Sequence, residues 1–258
     1  MELLNSLVGQ INDILWSYVL IILLIGAGII FTIRTKFVQI RFIKEMIRLI
    51  AGDAGNKMEG QQISSFQAFC VSTASRVGVG NIAGIAIAVV LGGSGAIFWM
   101  WIIAILGSAT GFVESTLAQI YKVPRTDSNG YLGGPAYYIN NALHSPKTAV
   151  FFAILISITY GLIFNSVQSN TISLSLQTAF NFDATMIGIV IAVFSGIVVF
   201  GGLHRIAKVT EYMVPIMAGI YLLIAFAITI YNISELPTVL SVIFKDAWGI
   251  ESVAGGSF

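Results

Sequence analysis

Between Ser72 and Gly84 an otherwise apolar run carries hydroxyls at Ser72, Thr73 and Ser75, a charge at Arg76, an amide at Asn81, and glycines at 78, 80 and 84. Polar groups in such a run need partners from protein or water. Gly78 and Gly80 permit local unwinding. Unwound backbone frees carbonyl oxygens, which suit a hard cation such as sodium. The N-terminus of the next half-helix offers free N–H groups and a positive dipole end to a carboxylate. One interrupted helix can thus hold both an ion and the anionic end of a small molecule.

Plainer readings compete for the same residues. Gly80 and Gly84 make a GxxxG pair, which by itself means close helix packing. Gly78-x-Gly80-x-x-Ala83 fits a relaxed dinucleotide fingerprint, but no strand precedes it and no acid stands about 20 residues on. Ser72, Thr73 and Ser75 can bond back to carbonyls one turn earlier. Elsewhere, Asn165, Gln168 and Asn170 form a polar patch expected at the outer end of another apolar run. That patch serves a ligand or interhelical hydrogen bonding. Arg76 and Glu114 are expected at similar depths, roughly 15 and 9 Å inside one membrane face. An ion pair between them is expected, as structure or as an inner gate. Glu211, beside Arg205 and Lys208, reads as a solvated charge at a helix entrance. His144 and His204 each lack a second ligand, so no transition-metal site is expected. No nucleophile–base set, phosphate loop or carboxylate pair is present, which argues against an enzyme.

These residues must be positioned by membrane helices. The chain has 258 residues, 57% hydrophobic and 10% charged, against roughly 25% charged in a soluble domain. Its mean hydropathy is +0.89. So few charges cannot cover a soluble fold. The net charge of +1 offers no polyanion patch, so nucleic acid is not expected as a partner. The single cysteine, Cys70, has no internal disulfide partner. Continuous apolar runs of about 20 residues fit spanning helices and not barrel strands. The spans expected are 14–33, 66–91 (broken near 77–81), 96–120, 148–167 with a longer limit at 176, 184–200 and 209–231.

Charge sets the orientation. The flank before the first span has no lysine or arginine, unlike a cleaved signal peptide. Arg34, Lys36, Arg41, Lys44, Arg48 and Lys57 come after that span, which places their loop inside and the N-terminus outside. Threading six spans then puts 11 of the 13 basic residues on one side, with Lys245 outside and Arg76 within a span. Residues 37–50 read as a basic amphipathic helix lying on the inner membrane surface. Gly133-Gly134-Pro135 marks the start of a short surface helix.

Ser75-Arg76-Val77-Gly78-Val79-Gly80-Asn81-Ile82-Ala83-Gly84, with Gly92-Gly93-Ser94-Gly95-Ala96-Ile97-Phe98-Trp99-Met100-Trp101 after it, resembles the alanine or glycine:cation symporter family. So do Gly133-Gly134-Pro135 with Tyr137-Tyr138, Asn165 to Asn170, and Gly201-Gly202 with Arg205 to Glu211 and Val214-Pro215. Ser94 stands where the family pattern leads us to expect proline. The resemblance implies an all-α, polytopic LeuT-type bundle: one extra helix, then the first five-helix unit of an inverted repeat. It implies inward transport of alanine or glycine with sodium, and in some members protons, across the cell membrane. It implies ion ligands at the carbonyls of Ala74, Arg76 and Val77 and the Asn81 side chain. The substrate carboxylate would meet the Gly78 to Gly80 backbone, with Thr73, Ser75, Asn81 and Gln168 as further substrate contacts.

The sequence ends at Ala254-Gly255-Gly256-Ser257-Phe258, about where the family's second broken helix would begin. A site shared between two repeats would then be half present, with the second repeat as the missing partner. A half-transporter without activity of its own, and another cation-coupled carrier or channel of related fold, are the alternatives.

Overall fold

The computed structural model describes residues 2–52, 64–125 and 130–249. Lys57 of the basic loop and the Ala254–Phe258 end lie outside the described residues. The chain is mostly helical. Its first helices are α1 (Glu2–Ile14), α2 (Ile21–Arg34), α3 (Val38–Arg41) and α4 (Ile43–Gly52), with a π-helical turn at Leu15–Leu20 joining α1 to α2. The interrupted helix comes next as α5 (Ser65–Arg76), a 3-10 turn at Val79–Asn81, and α6 (Ala83–Gly92). Then come α7 (Ala96–Ile120), a small hairpin of β1 (Val123–Pro124) and β2 (Tyr131–Leu132), and α8 (Pro135–Ala142). The remainder is α9 (Pro146–Ile158), a π-helical turn at Thr159–Phe164, α10 (Asn165–Phe180), α11 (Ala184–Val199), α12 (Gly202–Tyr231) and α13 (Leu236–Asp246).

Four helical stretches are long and apolar enough to cross a membrane: Asn5–Arg34, Ala96–Ile120, Pro146–Phe180 and Gly202–Tyr231. The bent pair Ser65–Arg76 and Val79–Gly92 brings the candidates to five. Ala184–Val199, at 16 residues, is a shorter apolar helix where a further span is expected. Large apolar side chains such as Ile22, Leu23, Val90, Phe194 and Leu223 are exposed, whereas many of the buried residues are small: Cys70, Ala88, Ala96, Ala109, Ala207 and Ala247. Small residues at helix contacts and large ones outside are the pattern of helices packed in lipid.

Two compact units divide the chain. One comprises Met1–Lys44, Ala83–Thr116 and Phe226–Phe258. In it Gly28 of α2 lies against α7, where a β-carbon would come within 2.8 Å of Leu106 Cβ. Gln39 ties the same helices by donating from Nε2 to Thr32 Oγ1 at 2.8 Å and to the Ile105 carbonyl at 3.3 Å. At the other end of α7, Trp99 donates its indole N–H to the Ala247 carbonyl, and Phe98 packs edge-on to Phe244 at 5.7 Å.

The second unit comprises Glu45–Ile82 and Leu117–Ala225. Its helix starts obey local chemistry. Ser64 caps α5, accepting from Gln67 N–H at 3.1 Å while Gln67 Oε1 accepts from Ser64 N–H at 3.2 Å. Asp183 caps α11 by accepting from Met186 N–H at 2.9 Å. Pro135 and Pro146 open α8 and α9. Gly134, with φ of +112°, makes the turn before α8 that other residues adopt only with strain.

Two boundaries differ from those expected. α9, its π turn and α10 form one 35-residue stretch, Pro146–Phe180, so the Asn165–Asn170 patch lies within a helix and not at its outer end. The patch lowers local hydropathy but leaves the backbone hydrogen bonds of a helix intact. α12 starts at Gly202, not near 209, so Arg205 and Lys208 lie on its first turns. Arg205 Nη1 donates to the Ile197 carbonyl at 2.9 Å, satisfying an acceptor in the last turn of α11. α12 continues through Pro215.

Candidate functional site

The interruption after Arg76 is made by backbone that leaves the helix and by two amide side chains that replace its hydrogen bonds. Val77 is extended at φ −95°, ψ 106°, and Gly78 is extended at φ −139°, ψ −166°. A continuous helix would send Gly78 N–H to the Ala74 carbonyl and Val79 N–H to the Ser75 carbonyl. Instead Gly78 N–H donates to Asn81 Oδ1 at 2.9 Å, and Val79 N–H donates to Gln168 Oε1 at 3.0 Å. Asn81 N–H donates to the Gly78 carbonyl at 3.1 Å, one residue short of Val77. Gly80 N–H makes no bond to the Arg76 carbonyl either. The carbonyls of Ala74, Ser75, Arg76 and Val77 thereby all lose their helical donors.

Free carbonyl and amide oxygens are the donor type that a hard monovalent cation takes. Four displaced carbonyls lie on consecutive residues, and Asn81 Oδ1 keeps a second lone pair after accepting from Gly78. The residues expected as ligands, Ala74, Arg76, Val77 and Asn81, all carry oxygens of this kind, and Ser75 carries a further one. The Ser75 hydroxyl donates to the Ser72 carbonyl at 2.9 Å, the back-bonding that the plainer reading describes. The Gly78 and Val79 N–H groups, expected to meet a carboxylate, are engaged by Asn81 and Gln168. Gly80 is exposed, and a β-carbon there would meet nothing within 4 Å.

Gln168 joins the break to a second feature. Its amide nitrogen would lie 2.6 Å from a β-carbon at Gly78, so only glycine admits this approach without displacing the side chain. The same glutamine lines an open crevice of about 910 Å³ between α10 and α11, with Asn165, Asn170, Ser173, Thr185 and Ser195. The crevice collects all three amides that the sequence groups together. Upstream, the π turn Thr159–Phe164 ends where Asn165 begins.

Glu211 is not at a helix entrance. It lies well inside α12, half-buried, and its Oε2 accepts from Gln67 Nε2 at 2.8 Å. Gln67 thus belongs both to the cap of α5 and to a polar link between α5 and α12. The Ser64-x-x-Gln67 spacing is the sequence sign of that cap. Arg76 is exposed in this unit, while Glu114 is exposed on α7 of the other unit.

Apolar spanning helices, one of them interrupted at a cluster of displaced backbone groups, define a polytopic helical membrane protein with a polar break. The chain belongs to the sodium:alanine symporter family, which it matches over residues 1–258. It is a family of transporters, not of enzymes. The chain is 51% identical over 256 residues to a Bacillus subtilis (strain 168) protein described as the probable sodium/glutamine symporter GlnT. It is 49% identical over 253 residues to the amino-acid carrier protein AlsT of the same organism. It is 35% identical over 255 residues to the sodium/alanine symporter AgcS of Methanococcus maripaludis. These matches take in 99%, 98% and 97% of this chain and 53%, 53% and 56% of the relatives, so the chain spans about half the length of the curated relatives it matches.

Proposed function

We propose that this chain is the N-terminal portion of a sodium-coupled symporter of small neutral amino acids, alanine or glycine, working by alternating access. The observation that carries the reading is the break at Val77–Asn81, where Asn81 and Gln168 replace helical hydrogen bonds and leave carbonyls free. In this reading sodium travels as a co-substrate. The carbonyls of Ala74, Arg76 and Val77 and the Asn81 side chain bind it, and Ser75 supplies a further oxygen. Thr73, Ser75, Gly78, Gly80, Asn81 and Gln168 form this half's share of the amino-acid site. The amino-acid carboxylate approaches at Gly80, where the backbone faces open space, while Gln168 holds Val79 N–H in the broken stretch beside it.

The fold we propose is the LeuT type: six spans here, with 37–50 along the inner surface and the N-terminus outside in the cell membrane. A second five-helix repeat completes the site. Arg76 and Glu114 pair as an inner gate in the complete carrier. Family membership and the names of the relatives support sodium and alanine. The name of GlnT makes glutamine the competing substrate.

The test is uptake of labelled alanine, glycine and glutamine into vesicles holding the full-length protein, with and without an inward sodium gradient. Accumulation of alanine or glycine that collapses with the gradient is expected. Glutamine accumulation alone would change the substrate. Ionic conductance without gradient-driven accumulation, or neither, would overturn the reading.

A further inference from the structure

At the C-terminal end of the apolar stretch Asn5–Arg34 the chain reverses through two consecutive left-handed residues, Lys36 at φ 55° and Phe37 at φ 56°. Left-handed backbone costs roughly 1–2 kcal/mol at a residue with a β-carbon. Here it is held by Phe37 N–H donating to the Thr32 carbonyl at 2.8 Å. The reversal wraps Arg34, Lys36 and Arg41 around one hollow of about 360 Å³, completed by Thr35, Val38 and Phe112. Among the described residues no acid lines it, and none of the three cations has a carboxylate partner; Arg41 lies over the Phe42 ring at 4.5 Å. Arg48, farther along the same basic segment, is by contrast paired with Glu45.

Three unpaired cations around one cavity repel one another, and an anion in the cavity removes that repulsion. The volume falls within the range of about 300–1,000 Å³ usual for small-ligand sites. The hollow opens where a spanning helix ends, the depth at which headgroups begin. Its lining is cationic at Arg34, Lys36 and Arg41 and apolar at Val38 and Phe112. We propose that this hollow binds the phosphodiester headgroup of an anionic phospholipid. The cations take the phosphate, and the apolar wall takes the glycerol end of the chains. A diffuse excess of inner-face charge needs no cavity, and an inorganic phosphate site needs no apolar wall. Both are distinguished by experiment.

The full-length protein is released from bilayers of phosphatidylcholine doped with phosphatidylglycerol, and bound lipid is counted by native mass spectrometry. Phosphatidylglycerol retained over phosphatidylcholine is expected, falling about fivefold for each of Arg34→Gln, Lys36→Gln and Arg41→Gln. Arg48→Gln removes the same charge outside the hollow and is expected to leave retention unchanged. Arg34→Lys checks that loss is not misfolding, since it keeps the charge and should keep most of the lipid. Equal loss in all four Gln variants, equal retention of both lipids, or displacement by inorganic phosphate would each overturn the proposal.

Discussion

Val79 donates its backbone N–H to Oε1 of Gln168 at 3.0 Å, across 89 residues of sequence. The contact depends on Gly78, where a β-carbon would come within 2.6 Å of the Gln168 amide nitrogen. Backbone at Gly78 is extended, so alanine there costs nothing in conformation and acts only by pushing Gln168 away. Gly78→Ala and Gln168→Ala are each expected to lower sodium-driven uptake by about tenfold, the worth of one hydrogen bond. The double variant should be no worse than the worse single. Additive losses would mean that the two residues act separately.

Asn81 Oδ1 accepts from Gly78 N–H, and we propose that the same oxygen binds the ion. Asn81→Ala is expected to raise the sodium concentration for half-maximal uptake by roughly tenfold. Asn81→Asp, which keeps an oxygen, should lose less. A sodium dependence of alanine uptake that stays the same in Asn81→Ala would refute the ion placement.

The Gln67–Glu211 bond runs from a neutral donor to a carboxylate, and both side chains are half-buried. Hydrogen bonds to charged groups contribute about 1.5–3 kcal/mol. Gln67→Ala, Glu211→Ala and the double variant, compared by thermal unfolding in detergent, should show a coupling of that size. A coupling near zero would leave α5 and α12 held by packing alone.

Gly28→Val forces a larger side chain against Leu106 and is expected to destabilise by about 1–3 kcal/mol. Gly26→Val is the matched control, since a β-carbon there meets nothing within 4 Å. Equal effects of the two substitutions on the melting temperature would show that α2 and α7 do not depend on close approach.

The hydrogen bond from Arg48 holds the Glu45 carboxyl below the usual glutamate range, and the Arg48 charge adds to it. A carboxyl depressed in the folded state stabilises above its unfolded pKa, and that contribution fades as pH falls through its folded pKa. The pair is exposed, so the effect on stability is small. Titration of Glu45 by NMR should show its pKa rising toward the ordinary value in Arg48→Gln. No rise would mean that the pair is not formed in solution.

The helix break is legible in the sequence because Gly78, Gly80 and Asn81 sit in an apolar run where each needs a local reason. Gln168 is legible as a polar residue within apolar sequence, but its partner is not. A side chain that reaches a backbone N–H 89 residues away leaves no periodic trace. Glu211 misleads for a related cause. With Arg205 and Lys208 beside it, local charge density resembles a loop, and only the Gln67 contact across 144 residues explains a carboxylate inside α12. Hydropathy also ends a span near 167, because it weighs side chains and not backbone bonds. Asn165, Gln168 and Asn170 interrupt the apolar character of Pro146–Phe180 without interrupting its helix.

The π turn at Thr159–Phe164 carries a spare residue just before those three amides. Its i→i+5 bonds take about one residue more than an α-turn for the same rotation. A residue deleted from 159–164 would therefore be absorbed as the turn relaxes to plain α-helix, with Asn165, Gln168 and Asn170 still facing the same way. Deleting Ser166, past the turn, has no such slack. It would rotate Gln168 by about 100° about the helix axis and leave Val79 without its acceptor. The same loss of one residue is thus harmless on one side of Asn165 and damaging on the other.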